Sequence, residues 1–153
     1  MLTEIKELQK YKGFTPFIAA RFISNFGNGL SPIALAYGVL SIPGTDGGDL
    51  SLVMASRFIP MVAFMIIGGV VGDRYQRNRV VGGADMLGSV FVAVSAIAFI
   101  IGTPSIALLV LMGALFGLLN ALFWPAMSGV MPAILPQEKL KAGNSILALV
   151  CNF

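Results

Sequence analysis

Three ionisable side chains lie within long apolar stretches of the sequence: Arg21, Arg57 and Asp85. A charge at the centre of a membrane-spanning helix costs about 2.5–3.5 kcal/mol on insertion scales, so each requires a physical reason. Asp85 could be a carboxyl group that exchanges protons, or it could form an ion pair with Arg21, because both lie at a similar depth in their stretches. Arg57 could instead extend toward the lipid headgroups.

A polar stripe runs along the first apolar stretch. Arg21, Asn25, Asn28 and Pro32 follow the spacing i, i+4, i+7 and i+11, which places them on one face of a helix. Such a stripe predicts either the lining of a substrate path or hydrogen bonds between helices. Asn120, in the fourth apolar stretch, is a further candidate for the same cavity.

The composition indicates which solvent surrounds these stretches. The chain is 57% hydrophobic and 11% charged, whereas a soluble domain is about 45–50% apolar and about 25% charged. We therefore predict an integral protein of the cell membrane, with the lipid bilayer as its first partner. The net charge of +3 comes from basic residues in short loops, so nucleic acid is not an expected partner.

Enzyme and metal chemistry find little support in the sequence. Histidine is absent and Cys151 is the only cysteine, so no metal-ligand cluster, redox motif or histidine-based triad is possible within this chain. No nucleophile–base pair and no phosphate-binding loop are recognisable. We therefore expect no cofactor, no metal and no enzymatic activity.

The apolar runs are too long for strands and lack strict alternation, so they predict an all-α membrane protein. We expect four complete transmembrane helices plus the start of a fifth, which makes the chain the N-terminal part of a longer protein. Before the fifth helix, the chain could form a short amphipathic helix or a plain polar loop. The predicted segments are an N-terminal tail at 1–13, spans at 14–42, 50–72, 80–101 and 105–131, a linker at 132–144, and the fifth helix from 145 to 153.

The basic residues predict the orientation. Of ten Lys and Arg residues, eight lie outside the apolar stretches, and all eight fall on one side of the predicted membrane. The positive-inside rule makes that side, and the N-terminus, cytoplasmic. These residues are Lys6, Lys10, Lys12, Arg74, Arg77, Arg79, Lys139 and Lys141.

Two pairs of glycines are spaced four residues apart within the predicted spans. Gly68 and Gly72 lie in the second span, and Gly113 and Gly117 lie in the fourth. Small residues at this spacing predict close packing between helices.

The loop after the second span reads Gly69-Val-Val-Gly72-Asp73-Arg74-Tyr-Gln-Arg77-Asn-Arg79. It resembles the signature of the major facilitator superfamily, G-x-L-x-D-[RK]-x-G-[RK]-[RK], and it lies in the expected place between spans two and three. Residues 55–60, 123–126, 131–136 and 140–144 look like the branch of enterobactin exporters and macrolide efflux proteins. The loop departs from the signature at Val71, Gln76 and Asn78.

The resemblance implies a major-facilitator-type helical bundle of two six-helix halves, with substrate bound near the membrane midplane. It also implies that the loop is part of a conformational gate. Many proton-coupled drug exporters carry an arginine where Gly113 stands, so that coupling scheme is not expected here. The implied gate residues are Gly69, Gly72, Asp73, Arg74, Arg77 and Arg79.

The function implied is gradient-driven efflux of a small amphiphilic compound, such as a drug or siderophore, by alternating access. Protons, acting through Asp85, and the C-terminal helices beyond this chain are the further partners implied. A nutrient importer of the same fold and a non-transporting accessory subunit are the alternatives.

Overall fold

The computed structural model describes residues 7–152, and these form an all-helical structure without a β-strand. This confirms the predicted all-α fold class. The helices are α1 (Phe14–Leu40), α2 (Gly47–Arg74), α3 (Arg77–Ile100), α4 (Ile106–Met127), α5 (Val130–Ile134) and α6 (Gln137–Cys151).

Helix α2 begins three residues earlier than the sequence predicted because of its capping box. The side chain of Asp46 accepts hydrogen bonds from the backbone N–H groups of Gly48 and Asp49. The carboxylate of Asp49 in turn accepts from the backbone N–H of Asp46. Both ends of this reciprocal pair satisfy donors that the first helical turn leaves open.

The region after the fourth span differs from the prediction in its boundaries. Helix α4 ends at Met127, two residues after Pro125, and the short helix α5 follows after Ser128 and Gly129. Helix α6 contains the second half of the predicted linker together with most of the predicted fifth helix. The boundary expected at residue 145 therefore lies inside α6. Lys6 and the rest of the extreme N-terminus lie outside the described residues.

Within residues 7–152, three helices have the length and apolar composition to cross a membrane: α2, α3 and α4. Helix α1 is 27 residues long and carries Arg21, Asn25 and Asn28, and it is not among these three. The apolar side chains of α2 and α3 point outward in large numbers; Ile66 is 83% exposed and Ile100 is 82% exposed. Since such a surface needs an apolar solvent, the chain is a multi-pass membrane protein.

Residues 31–127 form one compact unit, here called the helical core unit. In it, α4 packs against both α2 and α3, whereas α2 makes little contact with α3. A buried cluster of Val39, Val53 and Leu109 joins α1, α2 and α4. Helices α3 and α4 are linked by a tight turn in which Gly102 has a φ of 74° and Thr103 N–H donates to the carbonyl of Ala98.

The glycine spacing predicted close packing between helices, and the structure places both pairs in the contact between α2 and α4. A Cβ added at Gly68 would overlap the backbone carbonyl of Ala121, and one added at Gly117 would overlap the carbonyl of Arg57. A Cβ at Gly72 would come within 3.4 Å of Ala126 Cα. Each helix therefore presents a glycine face to the backbone of the other.

Residues 1–30 and 128–153 form the second unit, here called the terminal unit. Its buried cluster consists of Leu8, Phe14, Met131 and Leu135. A Cβ added at Gly143 of α6 would overlap the side chain of Leu135, so α6 packs closely on the segment that precedes it.

Candidate functional site

The helical core unit contains a cavity of about 540 Å³, here called the large cavity. Its lining is methionine-rich and aromatic, with one cation and one side-chain amide. Phe58 and Trp124 are 60% and 54% exposed, so the cavity is open rather than enclosed. The lining residues are Pro32 from α1, Met54, Arg57, Phe58, Met61 and Met65 from α2, and Phe116, Gly117, Asn120 and Trp124 from α4.

A second cavity of the same unit, here called the small cavity, measures about 130 Å³. It lies among α1, α2, α3 and α4, and its polar lining residues are Ser31, Ser95 and Arg57. Arg57 and Phe116 line both cavities. This pair of side chains therefore stands where the two cavities meet.

Arg57 is held by an aromatic ring and a hydroxyl group. Its guanidinium carbon lies 4.5 Å from the centroid of the Phe116 ring, within the range of a cation–π interaction. Its Nη1 donates a hydrogen bond of 3.4 Å to Ser31 Oγ. These contacts direct the side chain at α1 and α4, in place of the extension toward headgroups that the sequence also allowed.

Arg57 lies within α2, away from both of its ends. It is ten residues from the first residue of α2. At about 1.5 Å per residue this is ~15 Å along the helix, so both cavities that Arg57 lines lie well inside the length of α2.

Asn120, predicted as a cavity residue, lines the large cavity and is half-buried. Its side-chain nitrogen donates a 2.9 Å hydrogen bond to the backbone carbonyl of Phe116, one turn earlier in α4. This bond orients the amide and satisfies one of its donors inside the helix.

The terminal unit holds the other polar residues of the α1 stripe. Arg21 is only 4% exposed, and its Nη1 lies 3.5 Å from Ser24 Oγ. The side-chain nitrogen of Asn25 donates to the backbone carbonyl of Cys151 at 2.9 Å and to that of Val150 at 3.4 Å. Asn25 therefore binds the last carbonyl groups of α6, which have no acceptor role inside the helix.

Asn28 is exposed and shares a cavity of about 530 Å³ with Asn25 and Cys151. This is separate from the large cavity, which Pro32 lines one turn later in α1. Because the stripe divides between the two units, one continuous path along all four residues stays a prediction. The Arg21–Asp85 ion pair stays a prediction for the same reason; Asp85 is half-buried on α3.

The loop that the resemblance predicts to be a gate, here called the gate loop, is a two-residue turn, Tyr75 and Gln76, between α2 and α3. Arg77 Nη2 lies 3.2 Å from Asp73 Oδ1, and both side chains are largely exposed to solvent. This ion pair spans the turn and links the end of one helix to the start of the next.

The other predicted gate residues divide between helix packing and the surface. Gly72 is buried against α4, whereas a Cβ added at Gly69 would meet open space. Arg74 and Arg79 line a cavity of about 570 Å³ beside the turn. The turn is therefore surrounded by basic side chains, and Gly72 packs the preceding end of α2 against α4.

Sequence reasoning missed the main lining of the large cavity. Met54, Phe58, Met61 and Met65 follow the spacing i, i+4, i+7 and i+11, the same pattern as the polar stripe of α1. That regular spacing was the available signal, but methionine also fills gaps in ordinary packing. Phe116 was missed because one aromatic residue in an apolar helix has no distinguishing pattern.

Comparison with known proteins identifies the family of this chain. The family model of the Major Facilitator Superfamily matches residues 17–153. The multidrug efflux pump Tap of Mycobacterium tuberculosis is 30% identical over 128 residues, covering 83% of this chain and 30% of Tap. The enterobactin exporter EntS of Salmonella typhimurium is 26% identical over 154 residues, covering 97% of this chain and 36% of EntS.

The chain thus spans about a third of the length of these curated relatives. No solved structure gives a significant match. The family match covers nearly the whole chain, from α1 through the gate loop to α6, and it agrees with the resemblance seen in the loop itself. The chain belongs to the major facilitator superfamily.

Proposed function

We propose that this chain carries part of the substrate pathway of a secondary transporter that exports small amphiphilic molecules. The large cavity is the observation that carries the proposal. Its methionine and aromatic side chains offer an adaptable apolar surface, and Arg57 and Asn120 offer polar contacts. An apolar site with a few polar groups suits a molecule with one apolar part and one polar part.

Two relatives support the direction of transport. Tap is described as a multidrug efflux pump and EntS as an enterobactin exporter. Since this chain spans only about a third of either relative, the proposal concerns the complete native protein, including any helices beyond Phe153. Alternating access would be driven by an ion gradient, with Asp85 as the candidate proton carrier.

We further propose that the Asp73–Arg77 pair belongs to the gate. The pair is exposed, and an exposed ion pair contributes little to folding stability, about 0–1 kcal/mol. A contact that is weak in one conformation can be exchanged for another during the transport cycle. Asp73→Asn should therefore slow transport without lowering the amount of folded protein.

The test is efflux by the native protein, with every residue that its gene encodes, in a bacterial strain lacking its main drug pumps. Cells are loaded with three fluorescent probes in turn: the uncharged N-phenyl-1-naphthylamine, the anionic 8-anilinonaphthalene-1-sulfonate and the cationic ethidium. We expect faster loss of at least one probe than in vector-only cells, and we expect a protonophore to abolish the difference.

The Asp73→Asn variant serves as the matched comparison, at equal protein level in the membrane by immunoblot. Equal probe loss in cells with and without the protein, for all three probes, would contradict the export proposal. Unchanged efflux in Asp73→Asn would contradict only the gate role of the ion pair.

A further inference from the structure

The large cavity carries a charge that the proposed export function does not explain. Among its ten lining residues, Arg57 is the one ionisable side chain, and no carboxylate is included. The acidic residues of the helical core unit lie elsewhere. Asp46 and Asp49 cap the start of α2, Asp73 lies at its other end, and Asp85 is on α3.

The charge of Arg57 is permanent, and the residue is half-buried. A guanidinium keeps its proton in proteins, and charges act over longer distances in a low-dielectric interior than in water. A cation entering the large cavity would be repelled, whereas an anion would be attracted. The side chains that line the cavity therefore carry a net positive charge.

The geometry leaves Arg57 able to bind an anionic group. The guanidinium has five N–H donors, and one of its nitrogens, Nη1, donates to Ser31 through a long 3.4 Å bond. The Phe116 ring, 4.5 Å away, supports the cation from one side. Arginine binds carboxylates and similar oxyanions with two parallel hydrogen bonds, which makes it suited to this task.

The rest of the lining suits the body of such a ligand. Trp124 and Phe58 offer aromatic faces, and Met54, Met61 and Met65 lie along one face of α2. Sulfur–aromatic and ring–ring contacts would hold a planar apolar group beside the guanidinium.

We infer that Arg57 determines substrate specificity, and that the large cavity selects aromatic molecules bearing a negative charge, such as aryl carboxylates or sulfonates. This inference rests on the proposed export function, because it assigns the substrate class of the same cavity. Cationic amphiphiles should bind poorly, because the guanidinium of Arg57 repels them.

Trp124 makes the cavity directly observable. It is the one tryptophan of the chain, and it lines the large cavity. Its emission overlaps the absorption of 8-anilinonaphthalene-1-sulfonate and of N-phenyl-1-naphthylamine, so energy transfer reports binding. These probes share one aromatic body and differ by the sulfonate, so their comparison isolates the effect of the charge.

The experiment measures energy transfer to each probe in the native protein, purified in an uncharged detergent. The signal that is lost in Trp124→Phe is the part that comes from this cavity. We expect the sulfonate to bind roughly tenfold or more tightly than the uncharged amine, as expected for hydrogen bonds to a charged group.

Arg57→Gln should remove this preference by weakening sulfonate binding roughly tenfold while leaving binding of the uncharged amine unchanged. Arg57→Lys should keep part of the preference, because it keeps the charge but loses the paired donors. Lys141→Gln, which removes one charge from an exposed position on α6, is the matched control and should change neither affinity.

Two results would overturn the inference. An equal loss of affinity for both probes in Arg57→Gln would show that Arg57 only supports the shape of the cavity. An unchanged preference for the sulfonate would show that Arg57 plays no part in selection.

Binding is measured at equilibrium without transport, so its outcome is separate from the efflux test. Charge-selective binding without efflux would contradict export alone, and efflux without charge selection would contradict this inference alone.

Discussion

The helical core unit and the terminal unit are stabilised by different kinds of contact. In the core unit, α2 and α4 meet through glycines that bring their backbones together. In the terminal unit, Asn25 binds the last carbonyls of α6, Lys139 pairs with Glu7, and a small apolar cluster surrounds Leu8.

This difference reflects the solvent that each contact must compete with. Lipid is as apolar as a leucine side chain, so burial of apolar surface does not drive two helices together in the bilayer, and close packing must do so. At a helix end, carbonyl groups without intrahelical partners require a donor. Close helix packing is therefore expected to provide most of the stability of the helical core unit. Hydrogen bonds and ion pairs are expected to contribute a larger part of the stability of the terminal unit.

The largest effect is expected from filling the glycine contact. Gly68→Ala would place a methyl group on the carbonyl of Ala121 and should destabilise the protein by about 1–3 kcal/mol through overpacking. Gly69→Ala, one residue later with open space around it, is the matched control and should be nearly neutral. Unfolding by a titration with sodium dodecyl sulfate measures both, and equal midpoints would show that α2 and α4 do not depend on this contact.

A smaller effect is expected from the polar contact in the terminal unit. Asn25→Leu removes the donor to the carbonyls of Val150 and Cys151 and should cost about 0.5–1.5 kcal/mol. Hydrogen exchange of the last turn of α6 should speed up, while exchange in α2 and α4 stays unchanged. Asn28→Leu, at an exposed position, is the comparison; an equal effect of both variants would remove the special role of Asn25.

The smallest effect is expected from the exposed pair Glu7–Lys139. The hydrogen bond from Lys139, and then its positive charge, hold the pKa of Glu7 below its ordinary value of 4.5. The pair therefore stabilises the folded state above pH 4.5, and this contribution is lost as the pH falls through the lowered pKa.

A denaturant titration at pH 7 and at pH 3 measures this pH dependence in the wild type and in Glu7→Gln. The wild type should lose more stability than the variant over that range, and high salt should reduce the difference because it screens exposed charges. The same pH dependence in both proteins would show that the pair is not formed.

Much of the helical core unit could be predicted from the sequence, because its signals are local. The long apolar runs predicted the helices, the four-residue glycine spacing predicted the close packing, and the gate loop indicated the family. The start of α2 was missed because a capping box at Asp46 and Asp49 lies in a polar loop and extends the helix beyond its apolar residues.

The cavity was harder to predict because it depends on which faces of three helices meet. The sequence identified Arg57 and Asn120 as unusual, because they are polar residues in apolar helices. It did not predict that both line the same cavity. The methionines of α2 were missed because the same residue type serves in packing and in ligand binding. Asn25 and Asn120 look equivalent in sequence, yet one binds a helix end and the other lines the large cavity.

Helix α2 packs against α4 rather than against its sequence neighbour α3, and this delays the formation of its main contact during synthesis. Gly68 is synthesised about 50 residues before Ala121, the residue it must meet. At about 5–20 residues per second, roughly 3–10 s pass between the two events. During this time the newly inserted α2 exposes its glycine face to lipid or to the insertion machinery. A pause in translation before α4 would prolong that state without changing a single residue.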